Sequence, residues 1–274
     1  MQKINITNTD IHVSIIGLGT VKLGRNTAVK YPNPFTIPDD KAALNIINTA
    51  ADCGINLLDT APAYGNSEER IGELIKKSQH EWIIATKVGE IFDPITGRSH
   101  YDFTPEYICR SVERSLKKLQ RDYVDIVLIH SDGRDESIIL NDGALEALNH
   151  LKQKGLIRAT GMSTKTVAGG ILAAQHSDIV MATHNLAYQE EVDVLDYAEK
   201  NNKNIFIKKA FASGHSTITD SASADSTVDN VMASFDCIYQ HKSVSSIILG
   251  SITPMHIKEN AKKAADSFAR HHAK

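Results

Sequence analysis

The chain is expected to fold as a single (β/α)8 TIM barrel preceded by an N-terminal β-hairpin. Three observations predict it. Short apolar runs alternate with helical stretches, the 274 residues show no linker or break in composition, and polar residues recur at the ends of successive runs. Barrels of this kind use roughly 250 residues as one unit, so residues 1–274 are expected to form one domain.

The elements are legible in order. Ile4, Ile6, Ile11 and Val13 alternate around Asn8-Thr9-Asp10, which reads as a hairpin over residues 3–13. Candidate strands follow at 14–17, 55–58, 82–86, 124–129, 157–160, 178–182, 204–207 and 246–249. They are rich in β-branched residues and almost continuously apolar, as strands buried on both faces of a parallel sheet must be. Between them, the stretch 39–52 sets Ala43, Ile46, Ile47 and Ala50 on one side. Ser67 is expected to cap the next helix, with Glu68 and Glu69 at the positive end of its dipole. Thr104-Pro105 opens a helix carrying Ile108, Val112, Leu116 and Leu119 at helical spacing. Residues 143–154 form another that stops at Gly155. Further helices are expected at 164–175, 190–201, 228–241 and 254–268, with a mobile Ser/Thr/Asp-rich loop over 213–229.

Composition narrows the function classes. Apolar residues make up 42% and the net charge is −3, which gives no electrostatic reason to expect nucleic acid or an anionic membrane as partner. Cys53, Cys109 and Cys237 show no metal-ligand spacing, and no metal site is expected. Residues 1–6 lack a signal-like apolar region and nothing approaches a membrane span, so a soluble, cytoplasmic protein is expected. Its partner should be a small molecule, and the chain a monomer or weak homo-oligomer.

The chemistry concentrates at strand ends. Asp59 ends the second strand, Lys87 the third and His130 the fourth, while Tyr64 sits on the Pro/Gly-punctuated loop after the second. In a barrel all four converge on the C-terminal mouth, where such folds place their sites. Singly, each has an ordinary structural role: a turn-capping Asp, a packing Tyr, a hydrogen-bonded His. Together they suit proton delivery to an oxygen. A phenol titrating near 10 is a poor catalyst at neutral pH, and a neighbouring ammonium lowers that value. Lys87 is expected to supply the ammonium, Asp59 to aim it, and His130 to orient a carbonyl.

The run Asp59-Thr60-Ala61-x-x-Tyr64-Gly65-x-Ser67-Glu68, with Lys87 after Ile-Ile-Ala-Thr and His130 after Val-Asp-Ile-Val-Leu-Ile, resembles the signature of the aldo-keto reductases from Gly17 to Asn260. The resemblance implies that Tyr64 is the general acid or base, Lys87 its partner, Asp59 the partner of Lys87, and His130 the substrate-orienting member. It also implies NAD(P)H as hydride donor. Gly19 and Thr20 would approach the nicotinamide ribose, with Ser163 and Thr164 at the carboxamide and Lys208 beside the ring. Gly250, Ser251, His256 and Asn260 would hold the adenosine phosphate.

The chain departs from the pattern at Met181, where a glutamine is usual, at Lys208, where an aromatic is common, and at Thr164, where an asparagine is usual. His256, with Lys258 nearby, replaces a basic clamp, and an imidazole is a weaker clamp than a guanidinium. NADPH is the expected cofactor, with NADH as the alternative. Phe92, Tyr101 and Phe103 are expected either to form an apolar wall of the pocket or simply to cover the barrel mouth, and the short stretch after Asn260 to leave the site open to a carbonyl or sugar substrate. The expected reaction is reduction of an aldehyde or ketone, or the reverse, such as aldose oxidation. Two other classes compete: a Schiff-base lyase or aldolase using Lys87, and a cofactor-binding regulatory protein with little turnover.

Overall fold

The computed structural model describes residues 1–212 and 229–273. The expected loop over 213–229 therefore lies, apart from Asp229, outside the described residues. The chain begins with a hairpin of β1 (Lys3–Asn5) and β2 (His12–Ser14), paired antiparallel with Lys3 opposite Ser14. Next come β3 (Ile16–Gly19), the short α1 (Val21–Gly24), α2 (Asp40–Asp52), β4 (Leu57–Asp59), α3 (Ser67–Leu74) and β5 (Ile83–Val88). A second hairpin, β6 (Glu90–Asp93) and β7 (Arg98–Tyr101), precedes α4 (Pro105–Leu119), β8 (Val124–His130), the short α5 (Asp135–Leu140) and α6 (Ala144–Gln153). The chain continues through β9 (Ile157–Ser163), α7 (Val167–His176), β10 (Ile179–Thr183), α8 (Val192–Lys200) and β11 (Asn204–Lys208). It finishes with α9 (Asn230–Tyr239), β12 (Val244–Leu249) and α10 (Pro254–His272).

β3, β4, β5, β8, β9, β10, β11 and β12 close in that order into an all-parallel barrel. Every expected strand and helix has its counterpart, with ends displaced by a few residues. The fold is the predicted (β/α)8 barrel with its N-terminal hairpin.

Two apolar layers follow from strands that bury both faces. Outward-facing residues such as Leu58, Ile84, Val127 and Ile207 pack against the helices. Inward-facing Leu57, Ala85, Ile126, Leu128, Ile179 and Phe206 fill the barrel. The hairpin stoppers the lower end, because Ile6, Ile11 and Val13 are buried in that inner cluster. Arg158 ties the hairpin down, pairing with Asp10 at 2.9 Å and also with the buried Asp125 of β8. The interior is thus filled from below, and among the described residues the large cavity lies at the upper end.

Two local expectations need correction. Ser67 is the first residue of α3 and makes no capping bond. Its hydroxyl instead donates to Thr20 Oγ1 (2.8 Å) and accepts from Thr60 Oγ1 (3.1 Å), while Thr20 Oγ1 donates to the Asp59 carbonyl (2.9 Å). The segment between β5 and α4 is not a bare apolar wall. Its hairpin turns Phe103 down into the outer core and stacks Phe92 on the Arg25 guanidinium at 3.4 Å.

Candidate active site

Asp59 is the last residue of β4, Lys87 the penultimate of β5 and His130 the last of β8, and these three strands are neighbours in the barrel. Parallel pairing sends every strand end to the same rim, so a sequence pattern becomes a cluster. Lys87 Nζ donates to Asp59 Oδ1 at 2.6 Å and to the Thr60 carbonyl at 2.9 Å. It lies 4.7 Å from the centroid of the Tyr64 ring, and the Tyr64 and His130 rings meet edge-on at 6.3 Å. Asp59 and Lys87 are 4% and 1% exposed, so this is a buried ion pair.

Burial decides the electrostatics. It works against the Lys87 ammonium, yet Asp59 and Tyr64 more than offset it and hold the lysine above its ordinary value. Burial also acts on Tyr64, and there it wins: the phenol is pushed up to about 12 despite the opposing charge and hydrogen bond of Lys87. Lys87 thus acts on Tyr64 in the expected, lowering direction, but burial outweighs it and the net shift is upward. Tyr64 is firmly protonated at neutral pH, because desolvating a phenolate costs more than one ammonium returns.

A cavity of about 810 Å³ opens above the cluster and is lined by Asp59, Tyr64, Lys87 and His130. Gly19, Ser163, Met181 and Lys208 form further wall, and Gly250, Ser251, His256 and Asn260 lie toward α10. Thr20 and Thr164 are not on that wall. Both are fully buried, Thr20 in the hydroxyl network beneath Asp59 and Thr164 with its carbonyl accepting from Lys208. Phe92, Tyr101, Phe103 and Lys258 are also absent from the lining.

Lys208, at the end of β11, does more than replace an aromatic. Its Nζ donates to Ser163 Oγ (2.9 Å) and the Thr164 carbonyl (2.6 Å), and burial pulls its ammonium down to about 8. At the far end, α10 begins at Thr253-Pro254 without a side-chain cap, and Thr253 and His256 of this helix start line the cavity. A Cβ on Gly250 would come within 3.2 Å of Tyr31 Oη, so glycine keeps this rim open.

One residue of the cluster was not read from the sequence. Glu90 lines the same cavity, and its Oε2 lies 2.7 Å from His130 Nδ1. Its position three residues beyond Lys87 was the available signal, but only the hairpin's fold carries it back over β8.

The fold and this cluster define a (β/α)8-barrel protein with its polar site at the C-terminal mouth. A sequence profile of the Aldo/keto reductase family matches residues 15–236. A crystal structure from Pseudomonas aeruginosa, described as an aldo-keto reductase, is 42% identical with a TM-score of 0.85, covering 97% of this chain and 94% of that one. The uncharacterized oxidoreductase YqkF of Bacillus subtilis is 34% identical over 166 residues, 60% of this chain and 49% of its own. The NADH-specific methylglyoxal reductase of Escherichia coli is 34% identical over 172 residues, 59% of this chain and 51% of its own. This chain thus matches about half the length of those two curated relatives. The chain belongs to the aldo/keto reductase family.

Proposed function

We propose that residues 1–274 act as one unit, an NAD(P)H-dependent oxidoreductase that reduces an aldehyde or ketone to an alcohol, or runs the reverse on an alcohol or aldose. The observation that carries this reading is the buried Asp59–Lys87 pair set beneath Tyr64 at the cavity floor. A protonated phenol facing a cavity delivers a proton to an oxygen that is becoming an alkoxide, and Lys87 steadies the phenolate left behind. Asp59 holds Lys87 charged and aimed. His130 contacts the substrate from the β8 side.

The residues fit an extended dinucleotide: the cavity runs from the acid–base cluster to the uncapped start of α10, past the open rim at Gly250. When bound, a reduced nicotinamide dinucleotide supplies the hydride. Gly19, Ser163 and Lys208 would line its nicotinamide end, and Gly250, Ser251, His256 and Asn260 its phosphate end. Lys30, Lys209 and Lys263 on the same wall favour NADPH, the more anionic form, although Lys263 is already paired with Asp229 at 2.5 Å.

A Schiff-base lyase needs a deprotonated amine, and the ion-paired, raised Lys87 is the opposite. A regulatory protein without turnover would not need a phenol placed over a buried ammonium. The decisive variant is Tyr64→Phe, which should bind the dinucleotide normally and lose about 10²–10⁴-fold in carbonyl reduction. Undiminished activity in that variant would sink the mechanism.

A further inference from the structure

Lys208 holds a place in the cavity that the proton transfer from Tyr64 does not use. It is the last residue of β11, and its Nζ crosses over β10 to the end of β9. There it donates to Ser163 Oγ at 2.9 Å and to the Thr164 carbonyl at 2.6 Å. Ser163 is the register partner of His130 on β8, and the His130 and Tyr64 rings are 6.3 Å apart. The ammonium is therefore moored beside the acid–base cluster, on the wall of the same cavity.

Its charge is left largely uncompensated there. Both hydrogen-bond acceptors are uncharged. Of the carboxylates lining the cavity near the cluster, Asp59 is matched by Lys87 at 2.6 Å, and Glu90 lies against His130 and within the field of Arg25. Glu191 and Asp135 act favourably on Lys208 but are buried, at 2% and 1% exposed, and stand off the cavity lining. Each is engaged elsewhere: Glu191 accepts from the Thr183 N–H, and Asp135 from the N–H groups of Lys165 and Thr166. Lys165 and Lys209 add charge of the same sign as Lys208. Burial pulls the Lys208 ammonium down to about 8, which leaves it mostly charged at neutral pH.

A hydride donor must come within about 3–3.5 Å of the carbon whose oxygen Tyr64 protonates. The nicotinamide end of a bound dinucleotide therefore lies against the wall of Gly19, Ser163, Met181 and Lys208. That ring is neutral when reduced and carries a positive charge when oxidised. A fixed cation in a desolvated site separates the two forms, because like charges a few ångströms apart repel far more strongly there than in water.

We propose that Lys208 discriminates the redox state of the cofactor: its ammonium, moored by Ser163 and Thr164, disfavours the cationic oxidised nicotinamide, so the chain holds the reduced dinucleotide more tightly than the oxidised one. The inference rests on the NAD(P)H-dependent reading and deepens it. Lys208 loads the site with the reduced form from a mixed pool and hastens departure of the oxidised one. The same repulsion opposes the cation while it is still bound, so the gain lies in loading and release, which suits carbonyl reduction, and not in hydride transfer itself.

The test is titration calorimetry of the full chain at neutral pH with NADPH and with NADP⁺, in the parent and in Lys208→Met, Lys208→Gln and Lys208→Arg. The parent's ratio of Kd values, oxidised over reduced, should be at least about tenfold. Both neutral variants should lower that ratio at least about fivefold, chiefly by tightening NADP⁺, whereas Lys208→Arg keeps the charge and should preserve it. Lys208→Gln retains an N–H donor for Ser163, so either neutral variant decides should the other not fold. A parent ratio near one overturns the proposal. A ratio unmoved in the neutral variants does the same, even where both affinities fall together, since that marks a purely structural role. No binding of either dinucleotide would overturn the cofactor reading itself, whereas binding of both with an unmoved ratio overturns this inference alone.

Discussion

At Tyr64 two effects oppose each other: desolvation raises the phenol, while the Lys87 ammonium, kept charged against its own burial by its partners, lowers it. The outcome, a tyrosine near 12, suits a proton donor better than a base at neutral pH. Lys208 offers a second residue-scale test. Its folded value of about 8 lies below the ordinary 10.5, so the charged lysine costs stability in full below about pH 8. That cost is relieved as pH rises from about 8 toward 10.5, because the unfolded chain then binds more protons. Lys208→Met should therefore raise Tm at pH 7 by about 2–4 °C, which corresponds to about 1 kcal/mol in a protein of this size. The advantage should shrink at pH 10. A variant less stable at both pH values would show that the bonds to Ser163 and Thr164 outweigh the buried charge.

At the scale of elements, the hairpin of β6 and β7 carries the most specific requirement. A Cβ on Gly89 would meet Phe103 Cε1 at 2.5 Å, at a φ of +101 that L side chains rarely adopt. Gly89→Ala should cost about 1–3 kcal/mol in urea unfolding and loosen the Glu90–His130 contact. A stability within about 0.5 kcal/mol of the parent would mean that the turn adjusts freely. The N-terminal hairpin acts through packing instead. Ile11 is 1% exposed in the inner cluster with Leu57 and Phe206, so Ile11→Ala should cost about 2–5 kcal/mol. Both hairpins differ in legibility for a physical reason. The alternation of Ile4, Ile6, Ile11 and Val13 announces a half-buried pair of strands, whereas Glu90–Asp93 and Arg98–Tyr101 are half-exposed and polar, without a clean period.

For the whole molecule, the cavity between the Asp59–Lys87–Tyr64 cluster and α10 predicts coupling of ligand to stability. At about a hundred times its Kd, a dinucleotide that binds only the folded chain adds about 2.7 kcal/mol. NADPH should raise Tm measurably in both the parent and Tyr64→Phe, and NADH less so. No shift with either would remove the cofactor from the proposed function. The barrel and the strand-end placement of Asp59, Lys87 and His130 were determined by the sequence alone, because burial on both faces of a strand and helical spacing are local, periodic signals. Tyr64 was readable for the same reason, from the turn that follows its strand. Only the tertiary structure decided that burial raises Tyr64, that Lys208 turns to Ser163, that Thr20 and Thr164 withdraw from the wall, and that Glu90 meets His130. Those outcomes depend on desolvation and on distances across the barrel mouth, neither of which has a period along the chain.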